Sequence, residues 1–167
     1  MYPEPQTATL ILRLFGWFRV PLLALTSPSV LELDDEHSVI KIPLNYRTRN
    51  HYGAMYFGAL NIGAEAGVGL LAYRAIQSSG KRIDFIFKDF KANYLKRAEG
   101  DVHFICEEGL KIAELVQAAA SSPERQNGTF RCYAIVPSKN PNEKVAEFEI
   151  TLSLKRRSNS TNKSMSI

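Results

Sequence analysis

Between Gly53 and Arg74 the chain carries one acidic residue, Glu65, set in a run of Ala, Gly, Leu, Ile and Val. A lone carboxylate in apolar surroundings is held toward its neutral form by desolvation, which moves its pKa toward the range useful to a general base. Ahead of it stand Asn50-His51-Tyr52-Gly53 and then Tyr56-Phe57-Gly58, at the expected head of a helix. The first amides of a helix lack an intrahelical acceptor and sit at its positive end, so the turn at Phe57 and Gly58 suits an oxyanion forming on an attacked carbonyl. Gly58 permits close approach there. The chemistry these residues support together is attack of an activated water on a polarised carbonyl.

Each of these residues also has a purely structural reading. Glu65 can be a buried carboxylate paired with a neighbouring Arg or with Asn61, one turn earlier on the same helix face. Asn50 can cap the helix or its preceding turn. His51 can be an ordinary loop residue, since Glu65 already supplies a base.

Other chemistries find little support. Cys106 and Cys132 lie far apart and read as core thiols, and His37, His51 and His103 are scattered, so no metal site is expected. The net charge of +4 is spread along the chain apart from Lys155, Arg156 and Arg157. No nucleic-acid partner is expected from it, although a mild positive balance suits a phosphate-bearing ligand.

The elements that must position these residues follow from periodicity. A chain of 167 residues with 45% hydrophobic and 23% charged residues has the size and composition of one globular domain. Residues 1–27 read as an N-terminal helical segment that packs on the domain, 28–155 as the domain, and 156–167 as a polar, mobile tail. The apolar stretch Leu10 to Leu25 is interrupted by Arg13 and Arg19 and preceded by Glu4, which suits an amphipathic helix ending near Pro21 better than a signal peptide. A hairpin is expected over Val30 to Asn45, with Asp34, Asp35 and Glu36 in its turn. Ala54 to about Ser78, long, Pro-free and apolar nearly all round, predicts a buried helix; its glycines cost roughly 1 kcal/mol each and so call for close approach of other backbone. Gly63, Ala64 and Gly67 also suit a membrane helix pair, but Glu65 in mid-span and the strand-rich remainder argue for a helix that covers a sheet, with no membrane span. Strands are expected from Ile83 toward Tyr94, with Val102 to Glu107 as its partner across a turn at Glu99 to Asp101, then from Thr129 to Val136 and from Ala146 to Leu154. A short helix is expected over Leu110 to Ala119.

The stretch Arg49-Asn50-His51-Tyr52-Gly53-Ala54-Met55-Tyr56-Phe57-Gly58-Ala59-Leu60-Asn61-Ile62-Gly63-Ala64-Glu65 resembles the hotdog-fold acyl-CoA thioesterases of the phenylacetate-pathway type, and most closely a thioesterase-like branch with Arg-Asn-His and Gly-Ala-Met in this arrangement. The order of hairpin, long helix and antiparallel strands extends the likeness over about residues 28 to 155. The resemblance implies an α+β hotdog fold, a long central helix wrapped by a curved antiparallel sheet of about six strands. It implies a cytoplasmic homodimer, or dimer of dimers, that hydrolyses acyl-CoA or acyl-carrier thioesters, with no cofactor beyond the CoA of the substrate. Glu65 would activate water or attack the carbonyl, Asn50 would hold water or carbonyl, and the Phe57 and Gly58 amides would take the oxyanion, helix start and carboxylate meeting across the subunit interface. His51, Gly53, Tyr56 and Asn61 would touch the substrate, and Lys88, Lys96 and Arg97, with Lys91 beside them, would receive CoA phosphates. Tyr56-Phe57-Gly58 departs from the family's His-Gly-Gly, which keeps a non-catalytic acyl-binding module as the alternative. Dehydratase action has weaker support, because the hydratase loop of related folds is absent.

Overall fold

The computed structural model describes residues 4–157. In chain order the elements are α1 (Pro5–Arg19), α2 (Pro21–Leu25), β1 (Ser29–Leu33), β2 (Ser38–Ile42), α3 (Phe57–Ser79), β3 (Ile83–Tyr94), β4 (Val102–Cys106), α4 (Gly109–Ser121), β5 (Gln126–Val136) and β6 (Asn140–Arg156). The six strands form one antiparallel sheet in the order β1-β2-β4-β5-β6-β3, with α3 against it. This is the α+β hotdog architecture expected from the sequence.

One face of α3 is buried by small residues that let the sheet come close. A Cβ on Gly63 would lie 2.2 Å from the ring of Phe104, so glycine is what allows that fully buried ring to seat against the helix. At Gly67 the carbonyl accepts a hydrogen bond from the buried Ser38 hydroxyl at 3.0 Å. Phe104, Phe148, Ile40, Ile150 and Leu152 fill the space between, all fully buried. Each such side chain contributes about 1.5–3 kcal/mol relative to exposure, which offsets the helix-propensity cost of the glycines. The other face of α3 is not covered within one chain: Phe57 and Tyr73 are about half exposed. The prediction of a helix buried on nearly every side therefore holds for half its circumference.

Three sequence expectations are corrected. The helix starts at Phe57 rather than Ala54, because the amides of Met55 and Tyr56 bond to the carbonyls of Ala98 and Thr48 and hold that segment extended. β4 is not the partner of β3: β3 pairs only with β6, while β4 lies between β2 and β5. Residues 95–101 are thus a crossover between distant strands, tied down where Leu95 and Lys96 donate to the Val145 carbonyl. The mobile tail expected at 156–167 does not take in its first two residues, since Arg156 ends β6 and the Arg157 amide donates to the Arg82 carbonyl; residues 158–167 lie outside the described residues.

The two sheet edges differ. Along β1, Thr9 of α1 bonds through its hydroxyl to both the amide and the carbonyl of Val30, and Arg13 donates to the Pro28 carbonyl and to Ser29. α1 therefore packs on that edge. β3, twelve residues long, has no second neighbour among the described residues. Its pairing with β6 slips between Phe87 and Asp89, so Lys88 is the extra residue of a bulge. The bulge returns Phe90 to the face shared by Phe85 and Phe87, which strict alternation would have turned outward. Among the described residues no helix is long and apolar enough to cross a membrane.

Candidate active site

The loop before α3 is built around Asn50. Its side-chain oxygen accepts hydrogen bonds from the amides of Tyr52 at 2.9 Å and Ala54 at 3.2 Å, its own amide donates to the Ala54 carbonyl, and Gly53 closes the turn at a φ of +80°. The Asn50 oxygen is thereby occupied, and what the side chain has left to offer is its NH2 group. Asn50 organises a turn and is a donor only. Gly53 contributes a left-handed backbone that other residues adopt at a cost.

This loop, the head of α3 and the 95–98 crossover enclose an open groove of about 640 Å³ that brings together Asn50, His51, Tyr56, Phe57, Lys96 and Arg97. Among the described residues the amides of Phe57 and Gly58 have no acceptor, and no side chain caps the helix. The Tyr56 ring folds back over Gly58, lying where a Cβ on residue 58 would be 2.6 Å away, so any larger residue there would have to push the half-exposed ring aside. His51 is exposed and stacks near Tyr52 at 3.9 Å between ring centroids. Arg97 lies 5.2 Å over the other ring contact of that loop, Tyr52, while Lys96 forms an ion pair with Glu143. Lys88 lies on the β3 bulge, eight residues from Lys96 and about 26 Å along an extended chain, and does not join this group. Lys91 also stays on β3, within reach of Glu149 at 4.0 Å.

Glu65 stands apart from the groove. Its residue is exposed in the single chain, yet it sits among Ile62, Ala66 and Gly69 of α3 and apolar side chains of the N-terminal helices, and that desolvation raises its pKa above the ordinary carboxylate value. Among the described residues it has neither a hydrogen bond nor an ion pair. Neither partner that a structural role would use bonds to it: Asn61 accepts a 2.6 Å hydrogen bond from the Tyr94 hydroxyl through its side-chain oxygen, and Arg74 binds Asp35 at 2.9 Å. Tyr94 is a contributor that sequence periodicity assigned to core or tunnel wall. The polar depression of about 360 Å³ over the outer sheet, by contrast, is lined by charges that neutralise one another, as Lys144 does with Glu147. Among the described residues no three His, Cys, Asp or Glu side chains are placed to hold a metal ion.

A family model described as a domain of unknown function, DUF4442, matches residues 8–154. The chain belongs to the DUF4442 family. The match takes in α1 as well as the sheet and α3, so in this DUF4442 chain the N-terminal helix is part of the family's domain. No curated protein matches the chain. Among solved structures, a probable thioesterase of unknown function from Pseudomonas aeruginosa superposes with a TM-score of 0.73 at 21% identity, covering 93% of this chain and 98% of the other. A protein of unknown function from Chlorobaculum tepidum gives 0.78 at 12% identity, covering 92% and 97%, and a thioesterase from Haemophilus influenzae gives 0.59 at 11%, covering 93% of each. At these identities the likeness establishes the hotdog fold of the DUF4442 chain.

Proposed function

We propose that this DUF4442 chain hydrolyses acyl thioesters, CoA or carrier-bound, by carboxylate-assisted attack of water. One observation carries the reading: Glu65 is a partly desolvated carboxylate set among apolar side chains of α3 and the N-terminal helices, with no hydrogen bond or ion pair among the described residues. A group so placed costs stability, and such costs concentrate where chemistry is done. Glu65 takes the proton of the attacking water or attacks the carbonyl itself. The Phe57 and Gly58 amides take the oxyanion, the Asn50 NH2 holds water or carbonyl, and the thiolate leaves toward the groove of His51, Tyr56 and Arg97, where the guanidinium meets CoA phosphate. The thioesterase names among the similar structures support the same reaction class.

The active unit is a homodimer formed through the open β3 edge, which brings the uncovered faces of two α3 helices together. In that arrangement Glu65 of one subunit meets the helix start of the other.

A second reading, acyl binding without hydrolysis, is favoured by the Tyr56 ring crowding the Gly58 turn. Thiol release from a panel of acyl-CoAs separates the two. The hydrolase reading expects release that Glu65→Ala abolishes in a folded protein. Silence at high protein concentration with acyl ligand retained on mass spectrometry favours binding alone.

A further inference from the structure

A second groove, of about 270 Å³, opens between the N-terminal helical pair and the uncovered face of α3. Its floor is α3 at Ile62 and Gly69, its end wall is Phe87, and its rim is Ile11 and Phe15 of α1 with Leu22 of α2. Glu65 is the one charged residue that lines it. Gly69 keeps the floor low, since a Cβ there would already stand 3.2 Å from the Phe87 ring.

The rim is held in place rather than loosely appended. Thr9 and Arg13 fix α1 to β1 and the residues before it, and Gly16 lets the Ala24 backbone come to 3.0 Å from where a Cβ would be, which locks α2 against α1. That rigid pair holds Phe15 at 52% and Leu22 at 62% exposure over the opening. Large apolar side chains fixed around an apolar hollow are stabilised when something apolar fills it. The hollow's volume lies at the lower end of small-ligand sites, which suits a slender aliphatic chain.

We infer that this groove receives the hydrocarbon tail of the acyl group, which makes the α1–α2 pair a wall of the substrate site and the substrate an extended aliphatic acyl thioester. This rests on the thioester reading of Glu65. With the thioester carbonyl at Glu65, the tail runs along α3 toward Gly69 and Tyr73, while the CoA moiety lies at the helix start of the other subunit. The rim residues select chain length.

The test uses the full chain and straight-chain acyl-CoAs from acetyl to hexadecanoyl. kcat/KM is expected to rise about fourfold per methylene until the groove is filled, then level off. Phe15→Asp is expected to cut the preference for dodecanoyl over butanoyl at least tenfold. Phe18→Asp, on the exposed side of the same helix and outside the groove, leaves that preference unchanged. Leu22→Asp, checked with Phe15→Asp for an unaltered thermal midpoint, repeats the measurement from the other helix. Calorimetric titration of Glu65→Gln protein with dodecanoate gives a readout that does not need hydrolysis. Dodecanoate binding that Phe15→Asp abolishes, together with a wild-type protein that releases no thiol, upholds the groove and overturns the hydrolase reading. Turnover indifferent to chain length, with no dodecanoate bound, overturns the groove and leaves the hydrolase reading standing. Equal loss of preference in Phe15→Asp and Phe18→Asp also overturns it.

Discussion

Gly58 and Glu65 occupy one face of α3, seven residues and about 10 Å apart along its axis, almost two full turns. A carbonyl held by the Gly58 amide is therefore out of reach of the Glu65 carboxylate in the same chain. A working site needs the helix start of one subunit and the carboxylate of another. Mixing inactive Glu65→Gln with inactive Asn50→Ala subunits should restore activity: random reassortment gives half heterodimers, each with one intact site, or about a quarter of wild-type turnover. Chromatography with light scattering should find a dimer, and no recovery after subunit exchange would place each site within one chain.

Glu65 also carries a stability cost whose sign can be tested. Its folded pKa is raised by desolvation, so the fold favours the protonated form. The penalty is absent below the ordinary carboxylate pKa and is complete once pH has risen through the raised value. Glu65→Gln should therefore melt at or above the wild-type temperature at pH 8, with the gap closing toward pH 4. A variant less stable than wild type at pH 8 would mean that the ionised carboxylate holds the fold together.

Two glycines of α3 should respond in opposite directions to alanine. Gly63→Ala drives a methyl into the buried Phe104 ring and should cost about 1–3 kcal/mol in denaturant unfolding. Gly67→Ala meets only the Ser38 hydroxyl oxygen at 3.6 Å, an ordinary contact, and should be neutral or stabilise by up to about 1 kcal/mol. Equal effects would show that Phe104 does not seat against Gly63.

The two thiols should be inert in the folded protein. Burial pushes Cys106 up to about 11 and Cys132 well above the ordinary thiol value, and the two are fully or nearly fully buried. Thiol titration at pH 8 should count none before denaturant and both after it.

Much of this was legible in the residues. The glycine content of α3 foretold a helix approached closely by other parts of the chain, and isolation among apolar neighbours singled out Glu65. The strand partners were not legible: Val102 follows β3 closely in sequence, but pairing is decided by the apolar faces of β2 and β5, which β4 must match on both sides. The helix start was misread because Ala54 and Met55 are good helix formers, whereas the Ala54 amide donates to the Asn50 side chain, that of Met55 to the Ala98 carbonyl and that of Tyr56 to the Thr48 carbonyl. The break in alternation at Phe87-Lys88-Asp89-Phe90 did carry the signal of a bulge. Asn50 was read as a site residue or a cap, and its oxygen proves to lock the turn, a contact that the Asn50-to-Gly53 spacing permits without requiring.

The pH dependence of thiol release tests the central claim most directly, with wild type and Glu65→Gln compared on one acyl-CoA. kcat/KM should rise with pH through a single ionisation above the ordinary carboxylate value, and Glu65→Gln should lose about 10²–10⁴-fold together with that ionisation. A Glu65→Gln protein that keeps both the wild-type rate and the same pH profile would contradict the assignment of Glu65 as the base.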